Sequence, residues 1–481
     1  MLGDYLDGGF TSTLRASQTI TVRSPADTID IVATHAVSVA HVDVAVHSAR
    51  RAFRAWRRTP ASERDAALRR YQAALQRYLE PIATTITREV GKPISEARQE
   101  VSAMISKVDV MLTEGRTFTA DRVLKDVPGE IRHRPLGPLL VIGPFNFPGH
   151  LPNGQLVPAL ASGNPVIFKP SEKAPTTGSW IAQCIHEAGF PKGVFNMVQG
   201  DGTTAQQLAQ HSDIAGILFT GSLAVGQAIA IANAERIDRL IALELGGKNA
   251  SIVLEDADLD LAVQQITFAA YATSGQRCTS TSRVIVARPI LDEFCAKLTH
   301  ATKQLTVGYP FDENVFMGPV ISEATRQTLL AAQSAALSCG YVALVRGSVV
   351  DVPGRTGFYL SPSLLLAPHT RAMVPGYSDV ELFGPNLAVY AVGDVDEGIE
   401  VANNTSFGLA AAVFTRSSDV FAYVADELDV GMVHFNRSTA GASGRLPFGG
   451  TKLSGNHRVA GIFANRLCTY PQAILLPSRP R

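Results

Sequence analysis

A thiol and a carboxylate stand on two turns of this chain of 481 residues, 34 positions apart. Cys278 lies in the polar loop Ser274-Gly275-Gln276-Arg277-Cys278-Thr279, between an apolar helical stretch and the strand-like run Arg283-Val284-Ile285-Val286-Ala287. Glu244 ends an apolar strand in Leu243-Glu244-Leu245-Gly246-Gly247-Lys248-Asn249, where two glycines allow a sharp turn. A thiolate adds to electrophilic carbon and needs a group that takes its proton; a carboxylate on another turn is a candidate. A cysteine by itself reads as a small buried hydrophobe. The order and spacing of the two motifs carry the signal.

Such turns need a frame to hold them. At 46% apolar residues over this length, the chain exceeds what one hydrophobic core serves, and two or three structural domains are expected. After a short polar lead, helical periodicity dominates from about residue 42 to 117, broken at Pro60 and Pro93. From Leu139 short apolar strands alternate with helices, at 139–142, 166–168, 194–198 and 214–219, the pattern of parallel βαβ units. A second alternating block runs from Ala250 to about Phe435, with helices expected from Leu259, Leu291, Ser322 and Val395. The change of role at Glu244 places the boundary between two α/β units there.

Composition excludes several classes of partner. Forty-three basic residues balance forty-three acidic ones, which leaves no electrostatic footprint for nucleic acid or an anionic membrane. The start, Met1 to Asp7, has no basic stretch followed by an apolar core, and no run reaches ~18 apolar residues. Neither secretion nor membrane spanning is expected, and the cytoplasm is the expected location. Cys184, Cys278, Cys295, Cys339 and Cys468 are odd in number, scattered, and without metal-ligand spacing, so neither a disulfide framework nor a metal is expected.

A dinucleotide site has to be sought without its usual glycine fingerprint, since no G-x-G-x-x-G follows the first strand of the first block. Lys169 and Glu172 follow the strand Val166-Ile167-Phe168, where an ammonium and a carboxylate can meet ribose hydroxyls; taken alone, the two read as a surface ion pair. Ser222 follows Phe219-Thr220-Gly221 at a strand-to-helix junction. There it can receive a pyrophosphate with the first helix amides, or serve as a plain N-cap.

The Cys278 and Glu244 segments stand in order with Pro144-Phe145-Asn146-Phe147-Pro148, Lys169-Pro170-Ser171-Glu172, Phe219-Thr220-Gly221-Ser222, Glu381-Leu382-Phe383-Gly384-Pro385 and Pro447-Phe448-Gly449-Gly450. In these motifs the chain resembles the aldehyde dehydrogenase superfamily over nearly its whole length. The resemblance implies an aldehyde dehydrogenase-like α/β fold, with two parallel-sheet α/β domains and a small β oligomerisation element. It assigns 1–243 to a cofactor-binding domain, with the segment near 122–140 in the oligomerisation element. A catalytic domain follows at 244–440, then a return segment and C-terminal oligomerisation strand at 441–481. Cys278 is the implied nucleophile, Glu244 the base that activates water against a thioester, and Asn146 an oxyanion donor with the backbone N–H of Cys278. Phe145, Lys169, Glu172, Gly202, Gly221, Ser222, Gly226, Glu381 and Phe383 are the implied contacts of NAD. Glu172 would oppose the 2′-phosphate of NADP. Strand-like Gly129-Glu130-Ile131-Arg132-His133-Arg134 and Gln472-Ala473-Ile474-Leu475-Leu476 are expected to join subunits into a homodimer or homotetramer, because an apolar terminal strand would otherwise be an open edge.

Three segments, Gly143 to Gly154, Gly441-Ala442-Ser443 and Ser454-Gly455-Asn456-His457-Arg458, resemble the N-succinylglutamate 5-semialdehyde dehydrogenase branch of that family. The segments around Glu244 and Cys278 read more like general aldehyde dehydrogenases. An anionic small-molecule aldehyde needs carboxylate partners, and Arg437, Ser443 and Arg445 in the loop 436–446 are the candidates. A broad-range enzyme, or one for another ω-semialdehyde, is the alternative within the family. A coenzyme-A-dependent relative would not need Glu244, a cofactor-independent thiol esterase would share Cys278, and a structural relative would be expected to have lost one of the two.

Overall fold

The computed structural model describes residues 3–11, 16 and 18–477; Met1, Leu2 and 478–481, where the sequence-based divisions begin and end, lie outside the described residues. The strands Leu139–Ile142, Val166–Lys169, Phe195–Met197, Gly216–Thr220 and Leu240–Glu244 are apolar almost throughout because both faces of their parallel sheet are covered. Alternate residues enter opposite cores: Leu139 and Val141 pack with the helix His150–Ala161, Leu140 and Ile142 with the helix His41–Trp56. The lateral order is 240–244, 216–220, 139–142, 166–169, 195–197. Strand order therefore reverses between 216–220 and 139–142, where doubly wound sheets open a crevice beyond their C-terminal ends.

The second sheet also has seven strands, in the order Val342–Val345, Ser363–Leu366, Asn386–Val392, Thr281–Ala287, Asn249–Val253, Ala410–Phe414 and Met432–Phe435. All neighbours are parallel except the antiparallel edge strand 342–345. The expected helices begin at Leu259, Leu291 and Val395, and Ser322 caps the helix Glu323–Ser338 through a bond from Thr325 N–H. Pro60 and Pro93 each stand at the N-cap of a helix, Ala61–Arg77 and Ile94–Leu112, as the restricted backbone around proline dictates.

The polar lead is not a lead. Asp4–Leu6 and Gly9–Thr11 extend the first sheet with antiparallel strands, and Gln18–Ser24 pairs with Asp27–Val37 in a two-stranded ribbon. Three-residue strands are shorter than any periodicity can reveal, and the ribbon leaves Ile29 and Ile31 exposed, so no clean alternation marks it. A third, small sheet pairs Thr469–Leu475 with Gly129–Pro135, and that strand with Arg122–Val123. The segment near 122–140 given to this element covers both Arg122–Val123 and Gly129–Pro135, and the next strand, Leu139–Ile142, lies in the large parallel sheet. Among the described residues no helix is long and apolar enough to cross a membrane.

Buried carboxylates from one helix cap the next. Glu89 accepts the N–H groups of Thr176 and Thr177 at 2.7 and 2.9 Å, at the start of the helix Pro175–Ala188. Glu100 accepts those of Gly149 and His150 at 2.9 and 3.0 Å, and pairs with the buried Lys92 at 2.6 Å. An anion at a helix N-terminus is favourable, and a buried cation requires its partner. Glu100→Ala is expected to destabilise the protein by about 3–5 kcal/mol by leaving Lys92 unpaired, read as a lower urea midpoint. Adding Lys92→Met should recover most of that loss; no recovery would mean that the helix cap, not the ion pair, dominates.

Candidate active site

The candidate cofactor residues of the first unit hang from the C-terminal ends of its parallel strands. Phe145 follows 139–142, Lys169 ends 166–169 with Glu172 just beyond, and Gly221 and Ser222 follow 216–220. Lys169 is buried, which pulls its ammonium below the usual lysine range, and its Nζ lies 3.5 Å from Glu172. Ser222 takes the N-cap position of the helix Leu223–Ala232, yet its hydroxyl makes no capping bond, and the capping role open to it in the sequence is not filled. The helix Gly202–Gln210 is capped instead by Asp201, and open space surrounds the place of a Cβ on Gly202. Gly226 is different: a Cβ there would stand 2.6 Å from the side chain of Leu245, so its absence lets the helix seat against the Glu244 turn.

Cys278 is delivered by a left-handed kink. The helix Leu259–Tyr271 ends, and Thr273, Ser274 and Gly275 follow at φ of 54°, 55° and 67°. Two non-glycine residues hold this conformation because their side chains are anchored. Glu96 takes the Thr273 N–H at 3.0 Å and its hydroxyl, and the Ser274 hydroxyl donates to Gly318 O at 2.8 Å. A Cβ on Gly275 would lie 2.3 Å from Gly384 O, so the loop that carries Cys278 presses directly on the Glu381-Leu382-Phe383-Gly384-Pro385 segment. Asn146 reaches the same loop and donates to Gln276 O at 2.9 Å. Asn249, at the first position of its strand, donates to Cys278 O at 2.7 Å and Ser280 O at 2.9 Å.

Glu244 is buried at 2% exposure and neither of its carboxyl oxygens has a hydrogen-bond partner among the described residues. Burial pushes this carboxyl well above the usual range, offset in part by Arg458. A clasp closes over it. Leu245 N–H donates to Ser454 O at 2.9 Å, Leu243 N–H to the Asn456 side chain at 2.8 Å, and a Cβ on Gly449 would meet Glu244 Oε2 at 3.5 Å. Ser454 to Arg458, which resembled one branch of the family in sequence, thus builds the wall around Glu244. On the other side, Glu381 accepts Gly247 N–H at 3.0 Å, and a Cβ on Gly246 would collide with its carboxylate. Lys248 donates to Tyr377 O at 2.5 Å and Val380 O at 2.8 Å, fixing the turn that carries Glu381. Burial raises Glu381 to about 7, and the Phe383 ring meets Phe145 edge-on at 5.8 Å.

These groups converge electrostatically. Cys278 is partly accessible through a cavity, but the dense protein around it raises its thiol pKa, and negative charge on Glu244 or Glu381 raises it further. The N–H groups of Cys278 and Thr279 lower it in part. Burial and mutual repulsion thus both favour the neutral forms of the thiol and of the Glu244 carboxyl, because desolvated anions close to one another are disfavoured.

The cavity reaching Cys278 has a volume of about 630 Å³ and includes Ser443 and Arg445 in its lining. Ser443 Oγ accepts the Arg445 N–H at 3.2 Å, and the largely exposed Arg445 guanidinium lies 3.3 Å from Glu114. Arg437 is not brought here: it lines a separate groove with Phe268, Lys297 and His434. Sequence reasoning passed over two residues that do line the Cys278 cavity, Lys107 and His150. The available signal was a lysine on an apolar helical stripe, between Met104 and Met111.

A family model described as "Aldehyde dehydrogenase family" matches residues 13–474. N-succinylglutamate 5-semialdehyde dehydrogenase of Chromohalobacter salexigens is 41% identical over 450 residues, covering 91% of this chain and 89% of that one. The protein of the same name from Novosphingobium aromaticivorans is 39% identical over 92% of this chain and 93% of its own. Among solved structures, a mutant aldehyde dehydrogenase C from Pseudomonas syringae with NAD+ and octanal superposes with a TM-score of 0.93 at 32% identity, over 100% of this chain and 98% of that one. A 1-pyrroline-5-carboxylate dehydrogenase from Thermus with bound NAD gives 0.91 at 30% identity, over 98% and 92%.

The raised thiol sets a pH dependence. Because the neutral form is favoured, the reactive thiolate fraction of Cys278 grows with pH, and its alkylation by iodoacetamide in the free protein should keep accelerating beyond about pH 8.5, where an ordinary cysteine is half ionised. Peptide mass spectrometry separates Cys278 from the exposed Cys339. A plateau at lower pH would mean that the Cys278 and Thr279 amides outweigh burial.

Proposed function

The chain belongs to the aldehyde dehydrogenase family and is an NAD(P)-dependent oxidoreductase, and from that premise we propose that it oxidises an anionic ω-semialdehyde, N-succinylglutamate 5-semialdehyde, to the carboxylic acid. The observation that carries the hydrolytic outcome is Glu244, buried near Cys278 with both carboxyl oxygens free of hydrogen-bond partners among the described residues. A carboxyl with no structural duty beside a nucleophile is suited to moving a proton.

In this reading the Cys278 thiol gives up its proton to solvent that reaches it through the cavity, and its sulfur bonds to the aldehyde carbon. The oxyanion that forms is held by the second N–H of the Asn146 amide, whose first N–H is fixed on Gln276 O, and by the backbone N–H of Cys278. One such donor in a water-poor site is worth about 3 kcal/mol. NAD, when bound, supplies the hydride acceptor. Lys169 and Glu172 would hold its adenosine ribose, Gly221, Ser222 and the uncapped start of the helix Leu223–Ala232 its pyrophosphate, and Glu381 with Phe145 and Phe383 its nicotinamide end. The uncapped Ser222 hydroxyl and the burial of Lys169 against Glu172 support that fit. The thioester left on Cys278 is then hydrolysed by water whose proton goes to Glu244. The antiparallel pairing of Thr469–Leu475 with Gly129–Pro135, with Leu475 exposed, supports a homodimer or homotetramer joined through this element.

Cys278→Ala should abolish aldehyde oxidation while cofactor affinity stays near wild type, and Glu244→Gln should retain a single-turnover burst of NADH with a poor steady-state rate. Loss of the burst itself would place Glu244 in thiol activation instead. Like charge from Glu172 should favour NAD over NADP by about tenfold or more in kcat/KM. A preference for NADP overturns that assignment. A panel of acidic, neutral and cationic aldehydes tests the substrate: N-succinylglutamate 5-semialdehyde should exceed propanal in kcat/KM, and a win for neutral aldehydes returns the broad-range alternative.

A further inference from the structure

Of the three long cations lining the Cys278 cavity, two have carboxylate partners: Arg277 with Glu96 at 2.7 Å, and Arg445 with Glu114 at 3.3 Å. Lys107 has no ion-pair partner among the described residues. It projects from the helix Ile94–Leu112 at 5% exposure, among the buried Met104, Val108 and Met111. Its Nζ donates to Gly461 O at 2.9 Å, which uses one of three donors. Asp109, the carboxylate on the same cavity wall, is engaged by Arg69 and by Gln72 at 2.8 Å. Burial alone pulls Lys107 down to about 8, so the ammonium still prevails at neutral pH. His150, on the same wall, has a buried Nδ1 with no partner, and burial lowers it to about 4, which leaves a neutral ring.

A buried ammonium without a counter-ion is strongly unfavourable, and helix stripes of this kind ordinarily carry leucine or methionine. The charge is understandable if an anion completes the site. We propose that Lys107 is the specificity-determining contact of this enzyme, holding a carboxylate at the remote end of the aldehyde while Cys278 takes its carbonyl carbon. This rests on the reading that the substrate is an anionic semialdehyde, and it reassigns the anchor from the surface arginines to the cavity wall. Arg445 is largely exposed, so water and salt screen its charge, and Arg437 faces another groove. A desolvated ammonium discriminates far better, because a neutral aldehyde leaves it unpaired.

The test is the ratio of kcat/KM for N-succinylglutamate 5-semialdehyde to that for hexanal, in wild type, Lys107→Met and Lys107→Gln. The glutamine variant can keep the bond to Gly461 O without the charge and carries the same test if the methionine variant does not fold. The ratio should fall roughly 10- to 100-fold in either, the scale of one charge-assisted hydrogen bond, with the change in KM for the acidic aldehyde. Lys107→Arg should retain most of the preference. A wild-type preference for the acidic aldehyde that survives both neutral variants overturns the Lys107 assignment and leaves the substrate reading standing. A wild type with no such preference overturns the substrate reading and the Lys107 assignment with it.

Discussion

The site depends on a buried cluster of opposite charges around one aromatic ring. Lys92 Nζ lies 3.6 Å from the centre of the Phe147 ring and the Arg277 guanidinium 5.1 Å from it. Glu100 pairs with Lys92 and Glu96 with Arg277. Its members come from the helix 94–112 and the turn just before it that carries Lys92, from the Pro144 to Pro148 turn that carries Asn146, and from the loop that carries Cys278. Buried ion pairs add little net stability over apolar packing, but losing one partner leaves an uncompensated charge. The cluster therefore acts as a registration device. It admits one relative placement of the helix layer, the Asn146 turn and the Cys278 loop, and penalises the others.

A second constraint joins the two sheets. Glu244 is the last residue of one parallel strand and Asn249 the first of another, so the chain leaves the first sheet and enters the second within a few residues. Gly246 and Gly247 make that passage possible while leaving room for Glu381. At this junction Asn249 clamps the backbone just after Cys278 by donating to the carbonyls of Cys278 and Ser280. Arg283 reinforces the junction by donating to Lys248 O at 2.7 Å and Ala402 O at 2.9 Å.

Burial at this junction is what makes the chemistry strong. The low-dielectric surroundings that raise Cys278, Glu244 and Glu381 also strengthen every hydrogen bond offered to a developing oxyanion. A free protein with a quiescent thiol is the consequence. Reactivity then depends on what enters the site, since a ligand that alters charge or solvation near the sulfur shifts the balance that burial has set.

Much of this was legible from local sequence. The parallel strands at 139–142 and 216–220, the helix starts at Leu259 and Val395, and the placement of Cys278 and Glu244 on turns all follow from apolar runs and glycine chemistry, which act within a few residues. The ribbon at 18–37 was not legible, because its buried positions include the polar Ser24, Asp27 and His35 while Ile29 and Ile31 stand exposed, so hydrophobicity does not follow the burial alternation. Nor was the structural role of Ser454 to Arg458, whose motif marks the family branch in sequence and which closes as a clasp on the strand 240–244. Residue type alone made Arg437, Arg445 and Lys107 equivalent as cations. Only tertiary structure separated them, by sending Arg437 to another groove, leaving Arg445 in solvent and burying Lys107 without a partner. The sequence by itself determined which groups could react, since that is a property of side chains and local turns. Which charges are desolvated, and which carboxylate meets which cation, was decided by the packing of segments hundreds of residues apart, and no local pattern encodes that.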